Sequence, residues 1–180
     1  MIIGMVGKAR SGKNTVSDMI QQQLGQDTIS QYAFASPIKE TVNGMFGWDE
    51  RHSDGDLKEV VDPEWGFSPR HAYQTFGTEW GRECLRGDLW LYMAEKVCNT
   101  NRNTIITDVR FLNEADWIRN MGGVLIKVTR PNNQENVKSH KSEMDIDLIR
   151  EDHHVLNNAG LQELLDQTLY VLEKIGDAIE

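Results

Sequence analysis

The chain has 180 residues, is 39% hydrophobic, and carries 19 Lys and Arg against 28 Asp and Glu, a net charge of −9. That length suits one globular domain, and an acidic field without a dense basic run excludes a stable complex with long DNA or RNA while allowing a small anion held by local arginines. No stretch nears the roughly 20 apolar residues of a membrane span, the leading MIIGMVG lacks a charged leader and cleavage site, and Cys84 and Cys98 supply neither a four-ligand metal site nor a disulfide framework, so a soluble cytoplasmic protein is expected.

Short β-type runs alternate with helical runs. Ile2 to Val6, Ile29 to Phe34, Thr104 to Asp108, Val124 to Thr129 and His154 to Leu156 read as strands, and alternation of this kind predicts a parallel sheet covered by helices. Between the first two, Val16, Met19, Ile20 and Leu24 fall at helical spacing, with Gly25 as a stop. Ser36 reads as a cap with Pro37 at the first helical position, and Ile38, Val42, Met45 and Phe46 share one face before Gly47. Residues 48–67 hold seven acids against Arg51 and Lys58 and read as an exposed, mobile insertion. Ser68-Pro69 predicts a short helix that Gly77 closes, and Asp88 reads as the cap of another reaching about Val97. The final run places Leu161, Leu164, Leu165, Thr168, Leu169, Leu172, Ile175 and Ile179 on one stripe, a long helix packed on the sheet, with a partner helix as the alternative.

Gly7-Lys8-Ala9-Arg10-Ser11-Gly12-Lys13 has the spacing G-x-x-x-x-G-K between a predicted strand and a predicted helix. Glycines let backbone N–H groups turn around phosphate oxygens, the helix N-terminus adds positive potential, and Lys13 adds a mobile charge. The pieces describe a cradle for a nucleoside triphosphate; the bland alternative is a glycine turn with a solvated lysine. Asn14 follows the lysine where Ser or Thr is usual, and the hydroxyl comes one position later at Thr15, which weakens a magnesium assignment there.

Thr104 to Asp108 reads as a buried strand ending in a carboxylate, at the strand end where open α/β sheets bind ligands. Asp108 suits magnesium or proton handling, and Arg110 suits phosphate. Glu114 suits either orienting Arg110 or binding a sugar hydroxyl. The structural alternatives are a helix cap for Asp108 and a solvated first-turn acid for Glu114. Residues 65–92 interleave Trp65, Phe67, Tyr73, Phe76, Trp80, Trp90 and Tyr92 with Arg70, Arg82 and Arg86. Arginine beside flat rings suits one nucleotide, although any single ring also reads as core. The histidines 52, 71, 140, 153 and 154 show no zinc-ligand spacing.

Taken together, Ala9 to Thr15, Pro69-Arg70 to Gln74, Gly77-Thr78-Glu79-Trp80-Gly81-Arg82, Asp88-Leu89-Trp90, and Thr107 to Glu114 resemble bacteriophage deoxynucleoside monophosphate kinases, over most of the chain. The resemblance implies a P-loop NTPase fold of the nucleoside monophosphate kinase kind, three α/β/α layers around a parallel five-stranded sheet. It implies transfer of the ATP γ-phosphoryl group to a dNMP with magnesium, in the host cytoplasm if phage-encoded. On this reading one kinase domain spans 1–180, with 48–90 as an acceptor-binding insertion and 131–150 as a lid-like region, the two closing over bound substrates.

Carried over, Gly7, Arg10, Ser11, Gly12, Lys13, Asn14, Thr15 and Arg130 would hold ATP. Arg70, Gln74, Gly77, Thr78, Trp90, Asp108, Arg110 and Glu114 would hold the acceptor. Lys13, Asn14, Asp108 and Arg110 would be catalytic, and Asn14, Thr15 and Asp108 would face magnesium. The family commonly has aspartate where this chain has Asn14, so one carboxylate is missing. Arg130-Pro131 and the stretch to Arg150, with His140, Ser142 and Glu143, resemble the region that closes over ATP; Lys138, Lys141 and Arg150 read equally as solvated. The expected partners are small molecules, dNMP and ATP, with a homodimer left open. The rivals are another small-metabolite kinase, and a nucleotide-dependent switch or ATPase working with a protein partner, for which no Asn-Lys-x-Asp motif is present.

Overall fold

Ile2–Val6 is buried at all five residues, which is what an apolar run without alternation implies for a strand covered on both faces. This strand, β1, is the middle of a parallel five-stranded sheet in the order β2-β3-β1-β4-β5, with β2 at Ser30–Tyr32, β3 at Thr104–Val109, β4 at Val124–Thr129 and β5 at His153–Leu156. The five expected strands are therefore all present, β1 and β4 with the expected ends and the other three shifted by a few residues; β2 is shorter than its apolar run, Ile29 and Phe34 being buried just outside it. The computed structural model describes residues 1–100, 103–131 and 145–177. The chain divides into two compact units, one of Met1–Ala33 with Glu95–Glu180 and one of Phe34–Ala94.

In the first unit, helices α1 (Lys13–Leu24) and α7 (Leu161–Asp177) cover one face of the sheet. Val16 and Ile20 join Leu164, Val171 and Ile175 over Ile3, Met5, Ile126, Val128 and Val155. The working stripe of α7 is thus Leu164, Thr168, Val171 and Ile175, whereas the expected Leu161 is 70% exposed; Ile179 lies outside the described residues. On the other face α6 (Leu112–Asn120) comes so close that a Cβ on Gly4 would stand 2.6 Å from side-chain carbons of both Ile118 and Leu125.

The second unit contains α2 (Ser36–Phe46), α3 (Glu50–Ser53), α4 (Pro69–Gln74), a π-helix (Thr75–Leu85) and the start of α5 (Leu89–Thr100). Ala35, not Ser36, is the N-cap of α2, which places Ser36 and Pro37 in its first turn and ends it at left-handed Gly47. Ser68 caps α4 as expected, its hydroxyl accepting the His71 N–H at 3.3 Å. Gly77 does not end that helix. The chain continues through it with wider i→i+5 turns to Leu85. Glycine there serves close packing, since a Cβ would meet the Ile38 side chain at 2.8 Å. The acidic segment also has an interior of its own: Trp48 is buried among Phe46, Phe67 and Tyr73, and its Nε1–H donates to Asp62 at 2.8 Å. Paired rings of this kind add about 0.5–1.5 kcal/mol each beyond area burial.

Candidate active site

Parallel strands end on the same side, and in the first unit this gathers four distant segments. Val6 is opposite both Val109 and Lys127, and Thr129 is opposite Leu156. The loop after β1, the Asp108–Arg110 end of β3, Arg130 after β4 and Asn157 after β5 therefore share the carboxyl edge of the sheet. The strand order reverses around β1, the position where α/β sheets place their ligands.

The loop after β1 is curled by its residues. Gly7 has φ +152, and a Cβ there would lie 2.4 Å from the Val128 carbonyl and 2.8 Å from Ser11 Oγ. Arg10 is left-handed at φ 57, the one described non-glycine residue with positive φ, and Gly12 follows at φ 106. Left-handed turns beside right-handed ones make an anion-binding nest of successive N–H groups. Gly12 is also the N-cap of α1, with no side-chain cap bond and no acid in the first turn; the helix start keeps its positive potential for a ligand. Lys13 Nζ donates to the Gly7 carbonyl at 2.7 Å and the Lys8 carbonyl at 2.8 Å, which holds its charge over the loop. Ser11 Oγ is 2% exposed and has no hydrogen-bond partner among the described residues, an orphan of the kind that marks a missing ligand or solvent contact.

A cavity of about 600 Å³ adjoins the loop, lined by Arg10, Lys13, Asn14, Thr15, Arg130, Asn157 and the start of α7 around Leu161. Every residue expected to hold the donor nucleotide except Gly7 and Ser11 lines it; those two line a second cavity of about 290 Å³ that also contains Arg130. Asn157 escaped the sequence reading, which saw its segment only as a strand end.

Asp108 belongs to β3, and α6 begins at Leu112 with Phe111 as its N-cap; the cap alternative for Asp108 falls away. Glu114 is 1% exposed, and its Oε2 accepts the N–H groups of Arg110 at 2.7 Å and Phe111 at 3.0 Å. Glu114 therefore holds the backbone at Arg110 and is not a solvated first-turn acid.

In the second unit, Arg70 pairs with Glu59, and Arg70 N–H donates to the Lys58 carbonyl at 2.9 Å. Gln74 ends α4 and Thr78 is buried in the π-helix. Trp90 is 3% exposed, its Nε1–H donates to the Gly77 carbonyl at 2.7 Å, and a Cβ on Gly81 would meet its ring at 2.5 Å. The ring whose alternatives are stacking face and core is a buried support of the π-helix, bonded to one of its carbonyls. Trp80, stacked on Phe76 at 4.4 Å between centroids, keeps an exposed face, as do Trp65 and Tyr92. Arg86 forks onto Asp88 and lies 4.2 Å above the Tyr92 ring. His140, Ser142, Glu143, Lys138 and Lys141 lie outside the described residues. Among the described residues no cluster of three His, Cys, Asp or Glu could hold a metal, and no helix is long and apolar enough to cross a membrane.

Comparison with known proteins bears on this arrangement. The family model for deoxynucleotide monophosphate kinase matches residues 1–59 and 50–168. A protein of Acanthamoeba polyphaga mimivirus named as a deoxynucleotide monophosphate kinase is 30% identical over 187 residues, covering 94% of each chain. The deoxynucleoside-5'-monophosphate kinase of Escherichia phage T5 is 33% identical over 145 residues, 75% of this chain and 56% of the phage protein. Among solved structures, shikimate kinase of Aquifex aeolicus superposes with a TM-score of 0.57 at 15% identity, covering 98% of both chains. Dephospho-CoA kinase of Campylobacter jejuni gives 0.51 at 15%, covering 99% and 98%. The fold is that of P-loop kinases.

Proposed function

Since the chain belongs to the deoxynucleotide monophosphate kinase family, we propose that it transfers the γ-phosphoryl group of ATP to a deoxynucleoside monophosphate, giving a dNDP and ADP. The observation that carries the donor half is the loop itself: a helix start without a side-chain cap, led by left-handed Gly12, with Lys13 folded over two loop carbonyls beside a cavity large enough for a nucleoside. The acceptor half rests on family membership and on the arginine-bearing segment 69–90.

Phosphoryl transfer asks a protein chiefly to align two phosphates and to spread charge. Lys13 and the loop N–H groups would hold the donor phosphates, with Arg10 and Arg130 in the wall of the cavity. Arg110, its backbone fixed by Glu114, would meet charge developing on the transferred group. Asp108 would orient the acceptor phosphate or bound water. Arg70, Gln74 and Thr78 would hold the acceptor, with Trp90 shaping that segment from within. A magnesium ion carried by the phosphates needs only one or two protein oxygens, and Thr15 Oγ1, the Asn14 carboxamide and the Asp108 carboxylate fit that modest demand. Such an ion would neutralise charge between the β- and γ-phosphates.

The deciding experiment incubates the protein with ATP, magnesium and a panel of deoxy- and ribonucleoside monophosphates, separating products by chromatography. Formation of ADP with a matching dNDP is expected. ATP consumed without a phosphorylated nucleotide would replace this reading with an ATPase working on a protein partner.

A further inference from the structure

Asn157 makes a contact that the loop motif does not contain. Its backbone N–H donates to the Thr129 carbonyl at 2.7 Å, continuing the β4–β5 ladder by one rung and fixing its position. From there the carboxamide Nδ2 donates to the Ser11 carbonyl at 2.9 Å, across 146 positions of sequence. The same nitrogen lies only 2.5 Å from where a Cβ on Gly12 would stand, so it is seated on the Ser11–Gly12 peptide.

A trans peptide points its C=O and the following N–H in opposite directions. A donor that holds the Ser11 carbonyl on one side therefore turns the Gly12 N–H to the other, at the point where the loop enters α1. The orphaned Ser11 hydroxyl, inside the curl of the loop, is a second polar group at that residue which an anion would satisfy.

We propose that Asn157 is a positioning residue for the donor phosphates: by bonding the Ser11 carbonyl it sets the Ser11–Gly12 peptide so that the loop's N–H groups converge on a polyphosphate. This rests on the reading of the loop as the ATP phosphate site. It predicts an effect on the phosphate chain irrespective of the base, although Asn157 also lines the larger cavity.

The test measures calorimetric affinity for inorganic tripolyphosphate and for ATP, each with magnesium, in the wild type and in Asn157→Leu, which keeps the volume without the donor, and Asn157→Ala. Both ligands should weaken by the same factor, roughly three- to tenfold for one lost hydrogen bond. Asn157→Asp keeps the side-chain shape but turns an acceptor onto the Ser11 carbonyl, and serves if the other variants do not fold; it should weaken tripolyphosphate at least as much. Unchanged tripolyphosphate affinity in the folded variants overturns the proposal, whether the melting temperature falls, as for a merely structural side chain, or ATP alone weakens, as for a base contact. Failure of the wild type to bind either ligand would overturn the loop reading itself, and the proposal with it.

Discussion

The backbone N–H of Arg110 donates to Glu114 Oε2 at 2.7 Å, and the carboxylate that receives it is buried. The Phe111 N–H converges on the same oxygen, so one side chain accepts from two successive N–H groups in the turn from β3 to α6. Glu114→Ala takes the carboxylate acceptor from two half-buried N–H donors. A charge-assisted bond contributes about 1.5–3 kcal/mol and a stranded group costs a comparable amount, so a loss of about 3 kcal/mol is expected in urea unfolding, together with reduced turnover from a displaced Arg110. A change within the error of the unfolding measurement would contradict the structure of this turn.

Lys13→Met removes the ammonium from over the loop. Phosphoryl transfer should fall roughly 100- to 1,000-fold, the usual cost of deleting one donor aimed at developing charge, while circular dichroism stays that of the wild type. Retained activity would dissociate the loop from the donor site.

Asn14 stands at the exposed start of α1. Asn14→Asp puts a carboxylate near the helix's positive end, which stabilises the fold by about 0.3–1 kcal/mol. In EDTA that charge repels the phosphates and ATP binds more weakly; with magnesium present it gives the cation an oxygen ligand and turnover rises. Equal ATP affinity in both media, with unchanged turnover, would show the carboxylate to be dispensable here.

Arg70 is paired with Glu59, an exposed carboxylate, and under the proposed function an acceptor phosphate held by Arg70 would compete with that pair. Exposed pairs are worth about 0.2–1 kcal/mol. Glu59→Gln should therefore lower KM for the dNMP roughly twofold to fivefold with kcat unchanged, and a raised KM would assign Glu59 to substrate instead.

Burial, followed by the charges of Asp54 and Asp49, pushes the Tyr73 phenol from 10.0 up to about 12. The folded state then holds its proton more tightly than the unfolded state. The contribution is complete below pH 10 and is lost as pH rises towards about 12. With solvent screening it amounts to about 1 kcal/mol. Unfolding midpoints compared across that window should show the loss in the wild type and a smaller one in Tyr73→Phe.

Features written in neighbouring residues were legible. β1, the glycine loop and α1 follow one another within 24 positions, and each carries its own signal: an unbroken apolar run, turn glycines, a helical stripe. Gly77 misleads because a glycine that ends a helix and one that admits a neighbouring side chain look alike in sequence; here it admits Ile38, as Gly81 admits Trp90. Local sequence leaves Trp90 open between a core ring and a nucleotide-facing one, because nothing nearby shows that its N–H is taken by a carbonyl 13 residues back. Glu114's burial and Asn157's grip on Ser11 are products of tertiary pairing, the latter visible only once β5 is placed beside β4.

β1 is bonded on both flanks, to β3 and to β4, and roots the loop that carries Lys13. Strands so enclosed exchange their amide protons only when the whole sheet opens. Warming the protein should therefore show nucleotide release and collapse of the fold as a single cooperative event, without an interval in which an intact sheet has already let go of its phosphate.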